Sequence, residues 1–172
     1  VWLNQDRVPR KADADTSGRF TFADVGIGPV EIVAWKNGYA IGGLDAQVIG
    51  SADVVITLSK PDAIRVRLLA QTQKTDTGIA APAKAIAGAR VKSMFVNGAF
   101  HVSVEDLAQV GFPAPRSNDA GILEISHLPK GGYISFLLTH RDYAEVNVPY
   151  YPAGQKELAV QLAPGLTLSG RV

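Results

Sequence analysis

The sequence predicts an all-β protein in which one sandwich is written twice. Three observations carry this: a self-similarity with a period of about 103 residues, apolar residues that alternate with polar ones, and turn-forming residues between the alternating runs. The segment Asp15-Thr16-Ser17-Gly18-Arg19-Phe20-Thr21-Phe22-Ala23-Asp24-Val25 recurs in form as Asn118-Asp119-Ala120-Gly121-Ile122-Leu123-Glu124-Ile125-Ser126-His127-Leu128, Gly18 answering Gly121. Gly28 to Trp35 answers Gly132 to Leu138, Tyr39-Ala40 answers Tyr143-Ala144, and Val54 to Leu58 answers Leu158 to Leu162. Each copy closes on a proline, Pro61 and Pro164.

Taken in chain order, the first copy starts within strand sequence, Val1-Trp2-Leu3, which matches Arg90-Val91-Lys92 of the second, so a first strand is lacking. The turn ending at Gly18 leads into an alternating strand, Phe20/Phe22, and Lys36-Asn37-Gly38 turns the chain after Trp35. Ile64/Val66/Leu68 opens the second copy, and Ala70 to Gly88, interrupted by Pro82, reads as a long surface loop. Asn97-Gly98 between Val91–Val96 and Ala99–Val104 is a hairpin signal of type I′. Ser103 can cap a short helix, Val104 to Val110, with Asp106 three residues on and Gly111 as its stop. This places an insertion at 97–117. After the turns at Asn118–Gly121 and Lys130–Gly132, Glu145 to Val148 reads as strand and Tyr150-Tyr151-Pro152 as an exposed turn. Leu166 to Val172 reads as a first strand without a body of its own. The expected units are 1–60, 61–163 and 164–172.

These phrases resemble the carboxypeptidase regulatory-like domain. The second copy carries the fuller match: Gly88-Ala89-Arg90-Val91, Asp119-Ala120-Gly121-Ile122, Leu128-Pro129-Lys130-Gly131-Gly132-Tyr133 and Arg141-Asp142-Tyr143-Ala144. The resemblance implies tandem seven-stranded Greek-key β-sandwiches, transthyretin-like and immunoglobulin-like, the first incomplete. It also implies a non-catalytic module that spaces, stabilises or presents a neighbour in a secreted or envelope protein.

Composition narrows the chemistry. The chain has no cysteine, which removes thiol chemistry and cysteine-rich zinc sites, and its net charge of +1 without a basic block leaves no footprint for nucleic acid. No apolar run approaches the roughly twenty residues of a membrane span. Position 1 is Val with no signal-peptide pattern around it, so a longer parent chain is expected.

Asp13, Asp15, Ser17, Thr21 and Asp24 stand at calcium-loop spacing around Gly18. Against that stand Asp24 where a bidentate Glu belongs and a strand where an EF-hand enters a helix, so an Asp/Gly turn is the expectation and no cofactor is expected. His101, His127 and His140 lie far apart in sequence, and no serine has a nucleophile-elbow context. Glu105-Asp106 point apart on a helix. Lys36, Asn37 and Lys92 have the side chains of an isopeptide bond but no assignable partner. Among the aromatics, Trp35 and Tyr39 read as core and corner, and Tyr150 and Tyr151 as ligand or partner contacts.

The function expected is a non-catalytic spacer or interaction module of a larger extracytoplasmic bacterial protein, extracellular or in the cell envelope. Its partners would be neighbouring domains of the same polypeptide, and another protein or a polysaccharide. The alternative is a carbohydrate-binding accessory module of a secreted hydrolase. In the intact protein, flanking sequence is expected to complete both domains; with residues 1–172 alone, the tail 165–172 is expected to fray or to pair with the vacant edge of a first copy, its own or a neighbour's.

Overall fold

The computed structural model describes residues 1–6, 8–48, 53–72, 83–155, 157–166 and 169–171. These fold mostly as β-structure: β1 (Trp2–Gln5), β2 (Val8–Lys11), β3 (Gly28–Ala34), β4 (Gly42–Val48), β5 (Pro61–Ala70), β6 (Arg90–Val96), β7 (Phe100–Ser103), a short helix α1 (Val104–Ala108), β8 (Ile122–Pro129), β9 (Tyr133–His140), β10 (Tyr143–Pro152) and β11 (Leu158–Leu162). The first sheet has the order β2-β1-β3-β4. The second half forms a four-stranded sheet, β10-β9-β6-β7, and a three-stranded one, β11-β5-β8.

Alternation explains how the two later sheets meet. Ile64, Val66 and Leu68 of β5 are buried while Arg65 and Arg67 between them face solvent, and Ile134, Phe136 and Leu138 are buried along β9. With Leu123, Ile125 and Leu128 of β8 and Val160 and Leu162 of β11 they share one apolar core, a sandwich-like arrangement. β5 is its central strand, antiparallel to β8 and parallel to β11. On the outer surface the Arg67 guanidinium grips Glu157 through two bonds of 2.7 and 3.2 Å. The hydrogen bond from Arg67 holds the Glu157 carboxyl below its usual pKa.

The internal repeat extends to single backbone atoms. Asn118 Oδ1 accepts from the N–H groups of Ala120 (3.1 Å) and Ile122 (2.9 Å), and Asp15 Oδ1 accepts from those of Ser17 (2.8 Å) and Arg19 (2.9 Å). Six residues after each glycine comes a non-glycine residue at positive φ, Asp24 at 52° and His127 at 63°. In β8 this residue coincides with a register shift against β5, between Leu128 and Ile125, which is why alternation slips there.

Several sequence expectations need correction. Leu3 pairs with Ile32 as Met94 pairs with Phe136, so Leu3 corresponds to Met94 rather than to Lys92. A slip of two residues keeps every side chain on its face, and alternation could not detect it. Asn97 and Gly98 both have positive φ and Ala99 N–H donates to Val96 O at 2.9 Å, but pairing resumes one residue late, Val96 opposite Phe100. Residues 100–103 are therefore a strand of the sheet, and the added material begins at the helix. α1 ends at Ala108, two residues short of the expected Val110, with Ser103 Oγ accepting from Asp106 N–H at 3.3 Å. Tyr150, Tyr151 and Pro152 end β10 instead of forming a turn. Residues 19–25 and 53–58 belong to no ladder, and the described part of the tail, Gly165, Leu166 and 169–171, lies in no strand. Much of the long loop expected before Gly88 falls at 73–82, outside the described residues.

Candidate functional site

The first sheet has two apolar faces, and each meets a different partner. Leu3, Val30 and Ile32 form a small core with half-buried Phe20, Phe22, Val25, Val54 and Ile56. The opposite face presents Trp2 and Val33, which join the core of the second half together with Phe100, Leu107 and Phe112. Gly43 allows a close approach, since a Cβ there would stand 2.8 Å from the Phe100 ring. Trp35 packs edge-on against Phe112 (5.7 Å between ring centroids) and His127 (6.0 Å), and Phe112 contacts His127 in turn. His127 Nδ1 lies 3.1 Å from Tyr39 O, and Ile41 N–H donates to His127 O at 2.7 Å. The positive φ of His127 thus turns its ring and carbonyl toward the first sheet.

Beside this joint lies a cleft of about 160 Å³ lined by Trp2, Val33, Trp35, Leu107 and Val110, with Lys11 and Asp13 at its edge. Lys11 Nζ and Asp13 Oδ1 are 3.4 Å apart and exposed. The buried indole N–H groups of Trp2 and Trp35 have no hydrogen-bond partner among the described residues. Farther along the same face, Asn4 Nδ2 donates to Glu31 Oε2 (3.0 Å), Glu31 Oε1 stands 3.8 Å from His101 Nδ1, and Asp45 is opposite Glu31 in register. Burial first, and then the Glu31 charge, raise the Asp45 pKa against the opposing pull of His101. Among the described residues no three His, Asp or Glu side chains are grouped to hold a metal ion.

The residues singled out from sequence are dispersed. Asp15 Oδ1 is engaged by the Ser17 hydroxyl (2.7 Å) as well as by two backbone N–H groups. These bonds, the Ser17 hydroxyl foremost, hold its pKa below the usual value. Asp13 pairs with Lys11, and Asp24 sits beyond the turn at positive φ with its carbonyl, and that of Ala23, accepting from the Arg10 guanidinium. Ser17 closes the turn; the arrangement is that of an Asx turn. Trp2 is 2% exposed, so no sugar ring can stack on it. Tyr39, expected at a corner, is 44% exposed with Lys36 Nζ 5.6 Å from its ring centroid.

Tyr150 and Tyr151 separate by role. Tyr151 is half-buried and its hydroxyl donates to Glu157 O at 3.3 Å. Tyr150, 62% exposed, meets Tyr133, 47% exposed, at 5.8 Å between centroids. Tyr133 was legible as an outward residue, being one position out of phase with Ile134, Phe136 and Leu138, and Tyr150 was expected to be exposed, but that the two rings meet was not legible. Phe112 had a weaker signal, a large apolar residue within a Gly/Pro stretch. Comparison with protein-family models, with curated proteins and with solved structures found no match to this chain.

Proposed function

We propose that this chain is a non-catalytic spacer and interaction module of a larger extracytoplasmic bacterial protein. In this reading its halves are tandem Greek-key β-sandwiches of the carboxypeptidase regulatory-like kind, the first incomplete. The observation that supports it best is the apolar core that passes without interruption from the second half into the first, through Phe100, Leu107 and Phe112 against Trp2 and Val33. Units joined by a continuous core keep a fixed relative orientation, whereas units joined by a polar linker move independently. A spacer needs the former. Small-angle scattering tests it: the wild-type profile should fit one arrangement of the halves, and Phe112→Asp should broaden the distribution of dimensions. A wild-type profile that requires an ensemble of arrangements overturns the reading.

A second reading, carbohydrate binding, has one observation in its favour, the exposed Tyr133–Tyr150 pair on the outer face of β9 and β10. Aromatic faces with a polar tip suit contact with a ligand that is apolar on one side and hydroxylated around its rim. Retardation of the chain in polysaccharide-containing gels, lost in Tyr133→Ala and in Tyr150→Ala, would support it. Unretarded migration across a panel of polysaccharides would leave the spacer reading alone.

A further inference from the structure

We infer that Asn37 is a modification site, deamidated by the backbone amide of Gly38 without an enzyme, and that the isoaspartate formed there loosens the joint between the two halves. The inference goes beyond the spacer reading and does not rest on it, since the chemistry needs only this turn and water.

Of the five asparagines in the chain, only Asn37 and Asn97 precede a glycine. That neighbour matters because the reaction is an attack by the following backbone nitrogen on the asparagine carboxamide, and a Cβ on the following residue crowds the approach. The Gly38 nitrogen gives up its proton and bonds to Asn37 Cγ, the Cγ–Nδ2 bond breaks, and the nitrogen leaves as ammonia with that proton. A five-membered imide remains. Water then opens it on either side: cleavage at Cγ gives aspartate at position 37, and cleavage at the backbone carbonyl gives isoaspartate, with the main chain continuing through Cγ. The sum is asparagine plus water going to aspartate or isoaspartate plus ammonia, with no change of oxidation state.

The structure separates the two candidates. Lys36, Asn37, Gly38 and Tyr39 are all exposed, on a turn closed by Tyr39 N–H donating to Lys36 O at 3.0 Å. Gly38 has a φ of 82°, and a Cβ on it would meet nothing within 4 Å. Among the described residues nothing hydrogen-bonds the Asn37 carboxamide or the Gly38 N–H, so the reacting groups are free to meet. Asn97 is held instead. Its N–H donates to Tyr133 O at 2.9 Å, its Oδ1 accepts from Tyr133 N–H at 3.0 Å, and Ala99 N–H closes the turn on Val96 O at 2.9 Å. Its carboxamide also lies against Gly132, where a Cβ would stand 2.5 Å from Oδ1. Turning Cγ toward the Gly98 nitrogen breaks the bond to Tyr133, so the fold protects Asn97 and leaves Asn37 reactive.

Position gives the modification its consequence. Before the turn, Trp35 packs on Phe112 and His127; after it, Tyr39 O lies 3.1 Å from His127 Nδ1 and Ile41 N–H donates to His127 O at 2.7 Å. Isoaspartate inserts one extra carbon into the main chain between these anchors and shifts them out of the spacing that fits His127. It also adds a carboxylate near Lys36, but a charge on an exposed turn has little effect on packing.

Ageing of the intact chain at mildly alkaline pH, followed by tryptic mapping against fresh chain, tests the chemistry. Cleavage at lysine and arginine places Asn37 in the fragment 37–60 and Asn97 in 93–116. In folded chain only 37–60 should exchange its carboxamide for a carboxylate, and electron-transfer fragmentation should find both aspartate and isoaspartate there. In chain aged in urea, 93–116 should react as well. Asn37→Gln should abolish the change in 37–60. The isoaspartate-bearing chains should have a lower urea midpoint than fresh chain, with tryptophan fluorescence changing ahead of far-ultraviolet circular dichroism. Asn37→Asp, which carries the charge without the extra carbon, should match fresh chain. Folded chain whose 37–60 stays unmodified while it reacts in urea, or whose 93–116 reacts as fast as 37–60, would overturn the site. Isoaspartate-bearing chains as stable as Asn37→Asp would overturn its effect on the joint.

Discussion

Gly18 and Gly121 hold the same place in the two copies with φ of 82° and 73°, but only one has backbone packed against it. Gly121→Ala should cost more than about 2 kcal/mol, since it adds a collision with the Leu68 carbonyl to the strain of a positive φ. Gly18→Ala carries the strain alone and should cost about 1 kcal/mol. Urea denaturation of both variants checks the difference. Asp15 gives a second contrast, this time with pH. Its folded pKa is depressed, so its contribution is complete above the unfolded value, near pH 4, and disappears as pH falls through the folded one. Asp15→Asn should keep the turn, as Asn118 does in the second copy, and remove that acid dependence. Asp15→Ala should lower the midpoint at every pH. Both tryptophans, Trp2 and Trp35, lie in the first half and pack on the second, so their fluorescence reports on the joint.

At the scale of the element, one buried hydroxyl adds to the backbone bonds that join the start of β6 to the segment before β8. Ser117 Oγ accepts from Ala89 N–H at 3.0 Å and donates to Ile86 O at 2.8 Å. Ser117→Ala leaves both backbone groups buried without that partner and should cost about 1–3 kcal/mol, measured as a shift of the denaturation midpoint. Nothing in the sequence around Arg116-Ser117-Asn118 distinguishes this serine from a surface one, because its role comes from a residue 28 positions away. Local signals fared better. The Asn97-Gly98 turn, the Ser103 cap and the two Asp/Asn turns were legible because each is specified by residues that touch one another along the chain. The boundaries of β10 and the register of β1 were not, since a strand's limits depend on the neighbour that completes its hydrogen bonds. For the same reason Phe20/Phe22 and Val54/Ile56/Leu58 alternate as strands do yet join no ladder. The Tyr133–Tyr150 pair required the β9–β10 register, which no single segment encodes.

For the whole molecule the decisive contact is Phe112 on Trp35 and His127. Phe112→Ala opens a cavity at the joint and should cost about 3–5 kcal/mol. Its distinctive effect should be a loss of cooperativity: tryptophan fluorescence, reporting on the joint, should change at lower urea than far-ultraviolet circular dichroism, where the wild type gives coincident curves. The parallel pairing of β5 with β11 has a mechanical consequence. These are the first and last strands of the second half, held side by side over five register pairs from Leu158↔Val66 to Leu162↔Ala70. Tension entering at Pro61 and leaving after Leu162 pulls the two strands in opposite senses along their own length. Their hydrogen bonds are then loaded together, in shear, and must rupture as a set, whereas a hairpin pulled open from its free end yields one bond at a time. In a polypeptide stretched between two anchored points, the second half would be the part that resists extension.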